Sequence, residues 1–301
     1  MDGFLEANAR FLALDDEHAQ PEKARFLIIP VPFEQTSSYG QGSAYGPAAI
    51  IEASHQVELY DASLACKPHT AAGGIATLAP LETDGYGGAA MAERLNGIVG
   101  RWLDRDKRVI ALGGEHTSVV GAIRAHAERY KGLSVLQLDA HSDLRPNYQE
   151  DPWNHACAMA RVLDFHDKVV QVGIRSQSEE ERTISRERGL PVFYGEAIHS
   201  SEERGRDWIG DVIEATSKRV YVTFDCDVLD AGAMPATGTP EPGGLTWRQV
   251  CRLFARLSAE REVVGFDVSE LAPIKGFNHP QYMIAKLIYR FVGYMRGASS
   301  L

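Results

Sequence analysis

Leu133-Ser134-Val135-Leu136-Gln137-Leu138-Asp139-Ala140-His141-Ser142-Asp143 is the stretch on which the fold turns. A mainly apolar run, rich in branched side chains, passes directly into a polar cluster. Such a run reads as a strand buried on both faces of a parallel sheet. The polar cluster then falls at the strand's carboxyl end, where open α/β sheets bind their ligands. Side chains alternate along an extended chain, so Asp139, His141 and Asp143 are expected to face one way and Ala140 and Ser142 the other. Three potential metal ligands would then converge on one spot.

The same arrangement recurs on both sides of that stretch. Residues 108–112 (RVIAL) form an apolar run that ends in Gly113-Gly114-Glu115-His116-Thr117, where paired glycines permit a tight turn with close backbone approach. Thr117 or Ser118 is expected to cap a helix continuing to residue 130. Residues 219–224 (RVYVTF) end in Asp225-Cys226-Asp227, whose carboxylates at i and i+2 share a face if the chain is extended. Residues 263–268 form a last strand, followed by Ser269-Glu270. Residues 26–32, 169–174 and 191–194 are the remaining strands. Helical spacing of apolar residues marks 89–102, the charged stretch 179–188 reads as a helix, and 282–296 closes the chain. Thr246-Trp247-Arg248-Gln249 has capping-box spacing and opens a helix to residue 259. The turn-rich stretch 66–88 carries no strand. The Gly/Ser-rich loop 35–46, which ends in Pro47, lacks phosphate-cradle spacing and reads as a wall over the site. No repeat or linker divides the chain, so residues 1–301 read as a single domain.

Charge and composition narrow the function. The chain of 301 residues carries 41 Asp and Glu against 31 Lys and Arg, a net charge of −10, which argues against nucleic acid as a partner and suits a small cationic substrate. The start of the sequence lacks the basic and apolar regions of a signal peptide, and no long uncharged apolar run is present, so no membrane partner is expected and the reading is cytoplasmic. Cys66, Cys157, Cys226 and Cys251 lack C-x-x-C spacing, which suggests neither a disulfide framework nor a zinc knuckle.

Three strand ends deliver His116, then Asp139, His141 and Asp143, then Asp225 and Asp227 to one sheet edge. So much like charge needs neutralising. An acid-rich, thiolate-free donor set with one imidazole per ion suits two Mn²⁺, with Fe²⁺, Co²⁺ or Ni²⁺ as substitutes. A metal pair acidifies a bridging water toward hydroxide at neutral pH, which is hydrolytic chemistry.

The motifs Gly113–His116, Asp139–Asp143, Asp225–Asp230 and Thr237-Gly238-Thr239-Pro240-Glu241-Pro242-Gly243-Gly244 resemble the signatures of the ureohydrolase family, which includes arginase and agmatinase. The resemblance implies a three-layer α/β/α sandwich with a central, mostly parallel eight-stranded sheet. It implies one manganese on His116, Asp139, Asp143 and Asp225 and another on Asp139, His141, Asp225 and Asp227, with Asp139 and Asp225 bridging. It also implies Glu270 as the guanidinium-binding residue, His155 as the proton shuttle, Asp143 as proton carrier, and a trimer or hexamer. Glu115 stands where the family usually has aspartate, and Ala156-Cys157 replaces Gly-Thr after the histidine.

The implied reaction is attack of a metal-bridging hydroxide on the guanidinium carbon, releasing urea and an amine. The short loop from Asp143 to His155, with Glu150 and Asp151, and the Thr239–Gly244 segment are similar to the agmatinase versions. Agmatine, cleaved to urea and putrescine in polyamine biosynthesis, is therefore the expected substrate. Aminopropylagmatine is the alternative, its second amine suiting Glu150, Asp151 or residues 179–181. Guanidinobutyrate and formiminoglutamate each need a basic partner for their carboxylate, for which Arg145 and Arg175 are the nearby candidates, and the loop is shorter than the one whose Asn and Ser groups bind the amino-acid carboxylate in arginases. A deacetylase would not require Glu270 or the Thr239–Gly244 segment, and a non-catalytic metal-binding homologue is disfavoured because all six ligand positions are filled.

Overall fold

The computed structural model describes residues 5–296. Eight strands form one sheet in which every pairing is parallel: β1 (Phe26–Val31), β2 (Ile75–Thr77), β3 (Arg108–Gly113), β4 (Ser134–Leu138), β5 (Val169–Ile174), β6 (Val192–Tyr194), β7 (Arg219–Asp225) and β8 (Glu262–Ser269). Their order is β2-β1-β3-β8-β7-β4-β5-β6.

Alternation along the strands supplies two cores. Phe26 and Ile28 of β1, Ile110 and Leu112 of β3, and Val220, Val222 and Phe224 of β7 enter one apolar layer. Leu27, Ile29, Val109, Ala111 and Tyr221 enter the other. Burial on both faces is why these strands read as continuous apolar runs. The first layer is closed by helices Trp247–Glu260 and His279–Met295, with Phe254 and Phe291 stacked at 3.9 Å between ring centroids. The second is closed by Gly88–Leu103 and Val120–Arg129. This is the expected sandwich.

Two local expectations are corrected. The stretch 66–88 contains β2, which pairs with the apolar end of β1. Three residues are too few to display a period. Neither Thr117 nor Ser118 caps the helix after β3; a 3₁₀ turn, His116–Val119, comes first, and the Thr117 hydroxyl donates to Glu115 Oε1 at 2.8 Å. The Thr246 capping box does form, with Oγ1 accepting from Gln249 N (3.2 Å) and Gln249 Oε1 accepting from Thr246 N (2.8 Å). Thr246→Ala is therefore expected to cost about 1 kcal/mol, lowering the melting midpoint by roughly 2–4 °C in calorimetry. A variant that melts with the parent chain would remove the cap from the stabilising interactions. No helix among the described residues is long and apolar enough to cross a membrane.

Candidate metal centre and active site

Four adjacent strands, β3, β8, β7 and β4, end at one place. The loops leaving them carry His116, Glu270, Asp225 and Asp227, and Asp139 to Asp143 respectively. The turn after β3 needs its glycines because of contact rather than dihedral freedom: neither has positive φ, but a Cβ on Gly114 would overlap the carbonyl oxygen of Phe33, and one on Gly113 would overlap the Ser118 hydroxyl.

All six expected ligand side chains meet. His116 Nδ1 lies 3.1 Å from Asp139 Oδ2, 3.0 Å from Asp143 Oδ2 and 3.6 Å from Asp225 Oδ2. His141 Nδ1 lies 2.8 Å from Asp227 Oδ2 and 3.7 Å from Asp139 Oδ1. Two groups, His116/Asp139/Asp225 and Asp139/His141/Asp227, each present ligand atoms within 4.8 Å of one another and share Asp139.

The backbone reaches this convergence differently from simple strand alternation. β4 ends at Leu138, and Asp143 has φ +53, a left-handed bend that swings its carboxylate back under His116. Asp225 and Asp227 likewise do not share the face of an extended chain. Cys226–Val228 is a 3₁₀ turn capped by Asp225, which accepts from Asp227 N at 2.8 Å, while Cys226 is buried in the first core. Short turns at sheet ends bring acids closer than an extended repeat does. Asp143 and Glu270 (φ +63) are both non-glycine residues in the sparsely populated left-handed region, which costs each about 1–3 kcal/mol and is tolerated where surrounding structure over-determines it.

Buried polar side chains hold the acids in place. The Thr223 hydroxyl donates to Asp267 Oδ1 (2.8 Å) and so accepts from His116 Nε2 (2.9 Å), leaving a bare lone pair on Nδ1 facing the carboxylates. Gln137 donates to Asp139 Oδ2 (2.8 Å) and is itself held by Gln171 Nε2 (2.6 Å). Thr223, Gln137 and Gln171 lie outside the motifs that mark the site in the sequence. The signal was present: each is a polar residue inside an otherwise apolar strand, and two of them sit at i−2 from a site aspartate.

Electrostatics test whether cations belong here. Burial, then Asp227 and Asp143, push Asp139 up to about 7, and burial followed by Asp227 and Asp139 carries Asp225 well above the carboxylate range. For His141, burial opposes the charged form, but Asp227 and Asp139 outweigh it and raise the ring to about 10. Lone pairs on nitrogen and carboxylate oxygens 3.0–3.6 Å apart repel unless a positive charge lies between them. The donor set is oxygen-rich with one imidazole in each group, so the residues fit two hard or borderline divalent ions.

A pocket of about 220 Å³ opens onto this cluster. Glu270 and His155 both line it, together with Ser38, Arg145, Tyr148, Ala156, Glu181 and Thr239. Glu270 Oε1 accepts from His116 N at 2.7 Å. The loop expected to wall the site does so: Glu34 accepts from Gly42 N and Ala44 N, Gly40 N donates to Gly238 O, and Ser38 faces the pocket. Of the acids weighed for a substrate amine, Glu181 lines the pocket. Glu150, Glu179 and Glu180 are exposed and Asp151 is spent on a turn, accepting from Trp153 N. Arg175 is not a pocket residue; it donates to the carbonyls of Asp227, Glu241 and Pro242 and pins two loops together.

Residues 24–293 match the profile of the arginase family. The chain belongs to the arginase family. It is thus a ureohydrolase, an enzyme that cleaves guanidino compounds. Among relatives of this arginase-family enzyme, the N(1)-aminopropylagmatine ureohydrolase of Synechocystis is 37% identical over 90% of this chain and 89% of its own. The agmatinase of Bacillus cereus is 32% identical over 85% and 87%. The crystal structure of the agmatine ureohydrolase of Thermoplasma volcanium, 32% identical, superposes with a TM-score of 0.82 over 94% of this chain and 95% of that one.

Proposed function

We propose that this enzyme is a two-metal ureohydrolase of cationic guanidines that lack a carboxylate: agmatine and, by preference, agmatine extended by an aminopropyl arm. His116, Asp139, Asp143 and Asp225 are assigned to one ion, and Asp139, His141, Asp225 and Asp227 to the other, with Mn²⁺ the ion best suited to these donors. When bound, the ions supply Lewis acidity and acidify a water toward neutral pH.

The protein's own groups do the rest. Glu270 holds the planar guanidinium through paired, charge-assisted hydrogen bonds and so orients its carbon. Asp143 accepts a proton from the attacking water and returns it to the departing amine, and His155 exchanges protons with solvent. Urea and the free amine leave.

The observation that carries this reading is the pocket's charge. Asp143, Asp225, Asp227, Glu181 and Glu270 line it against one arginine, Arg145, which already sits 3.7 Å from Glu181 and over the Tyr148 ring at 4.8 Å. A carboxylate-tailed substrate would find only that occupied cation. The negative charge of the lining and the higher identity to the aminopropylagmatine hydrolase support the longer tail. Urea release by the Mn²⁺-loaded protein from agmatine, aminopropylagmatine, arginine and guanidinobutyrate, measured side by side, is expected to rank the two amines far ahead of the two acids, with aminopropylagmatine first. Arginine turning over as fast as either amine would overturn the tail assignment.

A further inference from the structure

Glu115, where the family usually has aspartate, is wholly buried, and the Thr36 hydroxyl links it to His155 on the pocket wall. Its Oε2 accepts from Gln35 N (2.9 Å), Thr36 N (2.7 Å) and Thr36 Oγ1 (3.0 Å), and its Oε1 from Thr117 Oγ1 (2.8 Å). The backbone runs alongside, with Glu115 N donating to Phe33 O at 2.9 Å. This zips the loop after β1 against the turn after β3. On the far side, Thr36 Oγ1 contacts His155 twice, at its backbone N (2.8 Å) and at ring Nδ1 (3.3 Å).

Donor counting then determines where the ring proton sits. A carboxylate only accepts, so the single hydroxyl hydrogen of Thr36 is committed to Glu115. Thr36 Oγ1 can offer His155 nothing but lone pairs, one for the backbone N–H and one for the ring. We infer that Thr36, anchored by Glu115, is a positioning residue that holds the neutral His155 ring in its Nδ1–H tautomer and leaves Nε2 bare toward the pocket. Nε2 faces the Ser38 hydroxyl at 3.4 Å, a rotor able to donate to it or to accept from it once protonated. Tyr148 meets the ring edge-on at 6.3 Å and restrains its plane. The proton that His155 takes from solvent and passes to a leaving amine therefore travels on Nε2, while Nδ1 keeps its own throughout. The glutamate reaches two backbone amides and the hydroxyl at once.

This inference rests on His155 as proton shuttle, and its test separates the two. Ring-nitrogen NMR of the intact chain, labelled with ¹⁵N-histidine and loaded with diamagnetic Zn²⁺, reads the tautomer, with H155Q identifying the signal. Nδ1–H is expected in the parent chain and in T36S, and an Nε2–H or mixed ring in T36V. In the Mn²⁺-loaded enzyme T36V is expected to lose about tenfold to a hundredfold in kcat with KM within about twofold, while T36S recovers most of it. An Nε2–H ring in the parent chain overturns the inference, and so does T36V with unchanged tautomer and kcat. If T36V does not fold, the parent and T36S spectra still decide. Full kcat in H155Q would overturn the shuttle reading itself, whatever the tautomer.

Discussion

Replacing Asp227 with alanine is expected to lower the bound divalent ion from about two to about one per chain and to cut urea release by at least about a thousandfold, because several kcal/mol of transition-state stabilisation depend on the metal pair. Asp227 is placed for this effect. One oxygen accepts from Ala140 N at 3.0 Å, and the other lies 2.8 Å from His141 Nδ1. Alanine removes a ligand oxygen and also releases the ring that would share its ion. The His116 side keeps Asp139, Asp143 and Asp225, so one ion should remain. Elemental analysis of the dialysed variant beside a urea assay gives both numbers. Full activity with one ion, or two ions retained, would sink the two-metal assignment.

Glu270→Gln tests substrate binding with the metal cluster left intact. The amide keeps an acceptor for His116 N, the contact now made by Oε1 at 2.7 Å, and the left-handed backbone remains anchored by Glu270 N donating to Gly114 O at 2.8 Å. What is lost is the negative charge facing a guanidinium. Hydrogen bonds to charged groups contribute about 1.5–3 kcal/mol each, so kcat/KM should fall roughly tenfold to a few hundredfold, with metal content unchanged. A kcat/KM within about threefold of the parent value would leave Glu270 as a structural brace for the turn after β3.

Much of this site is legible in the sequence, and the reason is local. A strand buried on both faces is mainly apolar, so the first carboxylate after the apolar run marks its end, as at Asp139 and Asp225. In a parallel sheet those ends share one edge, which is where His116, Asp139 and Asp225 are found. Other features left no local trace. The edge strand Ile75–Thr77 is too short to show a period, and the left-handed turn at Glu270 occurs in a residue type with no intrinsic preference for it. Glu150 and Glu181 are the same residue type beside the same loop, yet one is exposed and the other lines the pocket, because Glu181 is drawn inward by accepting from Leu144 N and Ser178 N.

By itself, then, the sequence determined that this is a parallel α/β protein with an acid and histidine cluster at the carboxyl edge of its strands, since hydrophobic runs and their polar ends are written in neighbouring residues. Only the tertiary structure decided who stands beside whom. β8, the last strand in the chain, inserts between β3 and β7, and this sets Glu270 next to His116. Strand order depends on which helices cover which face, a balance of long-range packing that no local period encodes. The same long-range packing brought Thr36 to His155 across 119 positions of sequence.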